Sequence, residues 1–162
     1  MGVIQALSDD KLTDSYVYRR DFSNVATPIE EKLSHDDFSE ELSSRNVNLK
    51  TVIVGKEAVY VGLGNSIFQD IIFLAGIHPR RKASELLYDE KKRLFDSLKF
   101  VIHERIKLGG KDEFQDLFGK WGLYKPAMGS NMKNRSCSNC GGAIDQIVLG
   151  GGKVYYCRNC QT

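Results

Sequence analysis

Apolar residues recur with helical spacing over several stretches of this 162-residue chain. The most pronounced follows Val61-Gly62-Leu63-Gly64-Asn65. There Ile67, Phe68, Ile71, Ile72, Leu74 and Ala75 fall at i, i+1, i+4, i+5, i+7 and i+8, one face of an α-helix. Gly76 ends this helix, and Pro79 bars its continuation. Ser84 or Asp89 offers a cap for a longer helix that reaches about Leu108 and closes at Gly109-Gly110. Leu94, Phe95, Leu98, Val101, Ile102 and Ile106 keep its apolar period, with Lys91, Lys92, Lys99, Glu104 and Arg105 on the wet face. Ser34 or Asp36 is the expected N-cap of a third helix through Phe38 and Leu42 to about Ser44. Asn46-Val47-Asn48 breaks it, and Leu49–Gly55 fits either a helical turn or a buried strand.

Elsewhere the pattern changes. Gly2–Leu7 and Ser15–Tyr18 are β-like around the turn composition Ser8-Asp9-Asp10, too little for a sheet that stands alone. Thr27-Pro28 and Lys32-Leu33-Ser34 mark a linker. Phe114, Leu117 and Phe118 suggest one more short turn. From Gly119 to Ser136 periodicity dissolves into Gly, Asn and Ser, a loop with Trp121 and Tyr124 as anchors. Those rings suit either stacking on a nucleobase or packing against the helices. Ala143–Leu149 and Lys153–Tyr156 are β-like around Gly150-Gly151-Gly152, which predicts a hairpin.

That hairpin lies between two cysteine pairs. Cys137-Ser-Asn-Cys140 is followed, after sixteen residues, by Cys157-Arg-Asn-Cys160. Each C-x-x-C turn presents two thiolates, and the hairpin brings the two turns together, so four sulfurs can complete a tetrahedron around one Zn2+. Four protein ligands leave no open position, which makes the expected ion structural. Disulfides are the alternative and need an oxidising compartment; a redox C-x-x-C pair would stand alone beside a strand–helix unit.

The glycine-flanked start of the main helix is the second candidate. A helix N-terminus offers unpaired N–H groups and partial positive charge, and glycine lets an anion approach the backbone. Asn65 is suited either to cap the helix or to donate its amide to a phosphate. Gly62, Gly64 and Asn65 are therefore candidate phosphate contacts, with Arg80, Arg81 and Lys82 after the helix as candidate cations. Gly-X-Gly-Asn is also ordinary turn-and-cap chemistry. A dinucleotide fingerprint does not fit, because Ile67 stands where its third glycine should.

Charge sharpens this only modestly. Residues 1–50 carry 6 basic and 10 acidic groups, residues 51–116 carry 11 and 10, and residues 117–162 carry 6 and one, balances of −4, +1 and +5. A basic C-terminal part suits a polyanion as well as a solvated surface. No apolar run approaches the length of a membrane span, and the N-terminus has no basic start with an apolar core, so a cytoplasmic chain is expected. Ala6 stands where N-myristoylation needs Ser or Thr. His35, His78 and His103 form no cluster, and no carboxylate pair suggests acid–base catalysis.

Gly62-Leu63-Gly64-Asn65, the helix with Asp70, Ala75-Gly76-Ile77-His78-Pro79 and the two cysteine pairs together resemble the formamidopyrimidine-DNA glycosylase / endonuclease VIII family, from about Thr27 to the end. The resemblance implies a mainly α fold: a helix–two-turn–helix bundle, a C-terminal four-cysteine zinc β-hairpin and a short N-terminal β remnant. It divides the chain into residues 1–26, the remnant and linker; 27–118, the helical DNA-binding domain; 119–136, a loop that in the family closes over an everted base and so should be mobile without DNA; and 137–162, the zinc finger. It assigns Asn65 to a backbone phosphate beside the lesion and implies a double-stranded DNA partner, damaged or abasic. The family's hairpin arginine corresponds to Gly152 here, with Lys153 adjacent as a backbone contact, and its frequent tyrosine two residues after the asparagine is Ile67.

The family's catalytic proline and glutamate belong to an N-terminal domain, whereas this sequence begins Met1-Gly2-Val3. The expectation is therefore the DNA-binding half of a base-excision glycosylase and AP lyase, binding without cutting. The alternatives are a stand-alone non-catalytic DNA-binding protein and a protein-interaction module stapled by zinc.

Overall fold

The computed structural model describes residues 7–15, 18, 28–29, 34–54 and 58–162. Among them are five helices and one hairpin. These are α1 (Asp9–Leu12), α2 (His35–Ser43), α3 (Leu49–Val54), α4 (Asn65–Ala75), α5 (Tyr88–Lys107), β1 (Ile144–Leu149) and β2 (Gly152–Cys157). Short 3-10 turns cover Ala83–Glu85 and Ser130–Met132.

α4 is the axle of the molecule. Its Phe68, Ile71, Ile72 and Ala75 join a core with Phe38 and Leu42 of α2, Leu49, Val52 and Ile53 of α3, and Leu94, Leu98 and Val101 of α5. Its opposite side places Phe73 in a second cluster with Met128, Met132, Cys137, Tyr155 and Cys157. Burial on two sides explains a departure from the one-face pattern. Phe73, Gln69 and Asp70 are buried, whereas Leu74 is 41% exposed. Gly76 adopts the left-handed conformation (φ 72°). Its N–H reaches Phe73 O at 3.1 Å and Ile77 N–H reaches Ile72 O at 2.9 Å, the paired bonds of a Schellman stop.

Ser34 caps α2, accepting the Asp37 N–H at 3.1 Å. Leu49–Gly55 resolves into the helix α3 rather than a strand over 49–54. Neither Ser84 nor Asp89 caps α5. Ser84 lies within a 3-10 turn, and Glu90 instead accepts the Leu87 N–H at 2.8 Å, three residues back, while pairing with Arg81 at 2.9 Å. Lys91, expected on the wet face, is buried against α2 with Nζ on Ser43 Oγ at 2.5 Å, and Ile106 is 58% exposed.

The N-terminal β expectation fails where it falls on described residues. Leu7 and Ser15 carry no strand and Tyr18 is helical, the turn expected at Ser8-Asp9-Asp10 is the helical turn Asp9–Leu12, and residues 2–6, 16 and 17 lie outside the described set. Ser8 followed by two acids is N-terminal helix chemistry as much as turn chemistry. The linker's Thr27, Lys32 and Leu33 also lie outside it.

The hairpin is antiparallel from Ile144↔Cys157 to Leu149↔Gly152. Gly150 and Gly151, at φ 53° and 74°, make its two-residue turn, a geometry that matches strand twist and demands positive φ at both positions. Val154 enters the main core and Tyr155 the second cluster, so β2 lies along α4.

Candidate nucleic-acid interface

The N-terminal end of α4 opens beside the hairpin. Gly64 occupies the N-cap (φ −117°, ψ 173°) without a side-chain cap, and Phe68 N–H to Gly64 O at 3.0 Å is the first helical bond. The N–H groups of the first turn are thus left without helical acceptors. A methyl added at Gly62 or Gly64 would meet nothing within 4 Å.

Asn65 does not cap the helix. Its Nδ2 donates to Lys153 O at 2.9 Å, across 88 residues of sequence. Two more side chains reach the hairpin from the same side: Lys50 Nζ donates to Leu149 O at 2.5 Å, and Gln69 Oε1 accepts the Tyr155 N–H at 2.7 Å. Gln69 Nε2 in turn holds Asn65 O at 3.2 Å. Burial lowers the Lys50 pKa, yet its stem lies against the glycine turn at Gly150. The hairpin is therefore fixed to the helical body at both flanks of its turn.

Between helix mouth, hairpin and the following loop lies a cavity of about 370 Å³, lined by Asn65, Ser66, Lys111, Ser130, Lys153 and Tyr155 among others. None of its described lining residues is acidic. Two lysines, hydroxyls and an amide suit an oxyanion rather than an apolar ligand.

Arg80, Arg81 and Lys82 do not line this cavity. They follow the opposite end of α4, which rises about 16 Å over its length. Arg81 is engaged with Glu90 and also donates to Thr162 O at 3.3 Å and Glu85 O at 3.1 Å; Lys82 faces Glu85 at 3.8 Å. Arg80 is exposed. His78, edge-on to Tyr156, is held below its usual pKa by burial and by Arg80 and Arg81.

The loop 119–136 is anchored at Tyr124 and Met128. Asp70, fully buried on α4, accepts the Met128 N–H at 3.0 Å and pairs with Arg105 at 2.5 Å. Burial raises the Asp70 pKa against these stabilising bonds. Tyr124 is buried beneath the Arg105 guanidinium, 4.7 Å from its ring centre, and its hydroxyl is pushed up to about 12 by burial and Asp70. Of the two expected anchors Tyr124 is one, whereas Trp121 is exposed. Residues 116–120, at the entry to the loop, form a protruding turn. Asp116 Oδ1 accepts the N–H groups of Phe118 and Lys120, both at 2.9 Å, and leaves Leu117 and Phe118 99% and 94% exposed.

The cysteine cluster sits at the base of the hairpin. Cys137 and Cys160 sulfurs are 3.8 Å apart, Cys140 and Cys157 are 3.5 Å apart, and all four lie within 4.8 Å of one another. Tetrahedral four-thiolate coordination with bonds of about 2.3 Å requires sulfurs about 3.8 Å apart, so the cluster fits one metal ion. The Gly142 N–H, 3.4 Å from its sulfur, and the neighbouring thiols lower Cys140 to about 7, whereas Cys140 and the other thiols push Cys160 up to about 12. Sulfurs this close all ionise only when a cation shares their charge. Gln161 ties the second cysteine turn to α4, accepting the Cys157 N–H at 2.8 Å and donating to Ile77 O at 2.9 Å.

A helical core with a glycine-opened helix end, and a four-cysteine hairpin docked beside that end, define a helix–two-turn–helix protein with a thiolate metal hairpin. Residues 25–115 match the formamidopyrimidine-DNA glycosylase H2TH domain, and the chain belongs to that family. The formamidopyrimidine-DNA glycosylase of Mycoplasma mobile is 29% identical over 152 residues, which cover 92% of this chain and 55% of that protein. That of Bacillus subtilis is 31% identical over 138 residues, 83% of this chain and 50% of that protein. Lactococcus lactis Fpg, solved with DNA containing an abasic site, superposes with a TM-score of 0.79 at 24% identity, over 96% of this chain and 56% of its own. MutM (Fpg) from Thermus thermophilus gives 0.77 at 25% identity, over 84% and 53%. The chain thus spans about half the length of the relatives it matches.

Of the residues singled out in the sequence, Asn65 and Lys153 line one cavity and the four cysteines form one cluster. Lys50 and Gln69, whose hairpin contacts are distant in sequence, and Lys111, which lines the cavity, were not among them. Lys50 did leave one trace, a lysine inside the apolar run Leu49–Val54.

Proposed function

We propose that this chain is the DNA-binding half of a base-excision-repair glycosylase, holding the backbone of duplex DNA at a damaged or abasic nucleotide. One observation carries the reading: Asn65 and Lys153 share an acid-free cavity at a glycine-flanked helix N-terminus, in a family whose Lactococcus lactis member was solved with abasic-site DNA. The backbone around Gly62 and Gly64, the Asn65 amide and Lys153 make the phosphate contact. Arg80 adds positive potential at a distance, while Arg81 and Lys82 are paired with Glu90 and Glu85. The ion held by Cys137, Cys140, Cys157 and Cys160 is a single Zn2+. It has no free coordination position, so its contribution is to hold the hairpin and hence Lys153. Asn65 uses one amide hydrogen on Lys153 O, leaving the other for a phosphate.

Backbone contacts of this kind help to offset the few kcal/mol needed to evert a nucleotide. The base-removing and strand-cutting steps belong to the whole glycosylase, and this chain binds without cutting.

The test is a titration of the full chain with fluorescent duplexes, intact or carrying an abasic analogue. Preference for the analogue is expected, and failure to bind either duplex overturns the proposal. Borohydride trapping on abasic DNA is expected to give no covalent product. A protein-interaction role is favoured by one feature, the exposed Leu117-Phe118 turn. That role predicts no binding to either duplex.

A further inference from the structure

Lys111 begins the segment after α5, far in sequence from both Asn65 and Lys153, yet the three line one cavity. Its backbone is held from two directions. Gly109 and Gly110, at φ 67° and 97°, turn the chain out of the helix, and Asp112 N–H bonds Tyr124 O at 3.0 Å in the bridge between Lys111 and Tyr124. Tyr124 is itself clamped under Arg105, which pairs with Asp70 of α4. Lys111 is thus presented from a support that is ultimately part of the central helix. Its side chain is only 11% exposed, and its ammonium pairs with the Glu113 carboxylate, Oε2 at 2.7 Å, on a side chain 47% exposed. A half-exposed carboxylate two residues away is a weak, solvent-screened partner. An entering phosphate brings stronger charge-assisted acceptors.

We propose that Lys111 is a second cationic contact for DNA phosphate in this cavity, beside Lys153, and that Glu113, outside the cavity, pairs with its ammonium until the phosphate arrives. The assignment rests on the DNA-binding reading above and extends it to one residue and one resident competitor. Phosphate entry exchanges the Glu113 ion pair for a phosphate ion pair and returns the carboxylate to water.

The experiment compares the full chain with Lys111→Ala, Lys111→Arg, Glu113→Gln and Lys120→Ala. All are titrated with a fluorescent abasic-analogue duplex at several salt concentrations, after circular dichroism has confirmed folding. Lys111→Ala is expected to weaken binding about tenfold and to lower the log–log salt slope by about 0.9, one released counterion. Lys111→Arg restores the slope, which separates lost charge from lost packing. Glu113→Gln tightens binding about threefold by removing the competitor. Lys120→Ala, a change at an exposed lysine outside the cavity, stays within about twofold. If the unsubstituted chain binds and Lys111→Ala keeps its affinity and slope, the Lys111 assignment is overturned while the DNA-binding reading stands. If Glu113→Gln binds no tighter, the competitor role is overturned. If the unsubstituted chain binds no duplex, both proposals fall.

Discussion

The two ends of α4 begin and finish with glycine but are built differently. At the C-terminal end Gly76 is left-handed, the carbonyls of Ile72 and Phe73 are satisfied by the chain itself, and a Cβ there would come within 3.3 Å of Cys160 O. At the N-terminal end Gly64 has ordinary extended backbone, and a Cβ would touch nothing. The protein's own packing explains the first glycine and not the second. The same residue type therefore serves internal closure at one end and leaves room for something external at the other.

The contrast between the two ends has consequences that can be measured. Stripping the metal held by the four cysteines with a chelator should remove the support of both the hairpin and Lys153. Loss of DNA binding is expected, with a melting temperature lower by roughly 10 °C or more in calorimetry. Undiminished binding after metal loss would show that the hairpin needs no ion. Next come the two glycines. Gly64→Ala should weaken duplex binding about tenfold while costing at most about 0.5 kcal/mol of stability. Gly76→Ala should do the reverse, costing about 1–2 kcal/mol with affinity unchanged. Equal behaviour of the two variants in urea melts and titrations would erase the distinction.

Asn65→Ala should weaken binding about fivefold on every duplex sequence alike, because phosphate contacts carry no base information. It should also cost about 1 kcal/mol through the lost bond to Lys153 O. A sequence-dependent loss would reassign Asn65 to base readout.

The smallest effect lies at the closed end. Burial alone would raise the Glu90 pKa, but the Leu87 N–H and Arg81 together hold it below the ordinary value. Its stabilisation is therefore complete above the unfolded pKa, about 4.3, and is lost as pH falls through the lower folded value. Glu90→Gln should flatten the acid limb of a urea-midpoint profile between about pH 5 and 3, and an unchanged limb would remove Glu90 from the account.

Much of this architecture was legible because it is local. The α4 period, its glycine stop, the Ser34 cap and the spacing of the cysteine turns each depend on residues within a few positions. What was not legible depends on distant partners. Lys91 reads as a surface lysine until Ser43 is found 48 residues away, and Gln69 reads as a polar interruption until Tyr155 is found beside it. The Glu90 cap was missed because no small polar residue occupies the N-cap; Leu87 does. The same limit applied at the site, where Arg80, Arg81 and Lys82 are neighbours of α4 in sequence but stand at its far end.

Finally, α4 places Phe68 in one apolar cluster and Phe73 in the other, five residues apart on the same short helix. Neither cluster can melt without unravelling the element they share. Heat should therefore produce a single calorimetric transition with matching van't Hoff and calorimetric enthalpies, and amide protons of the metal hairpin should exchange with those of the helical core rather than ahead of them.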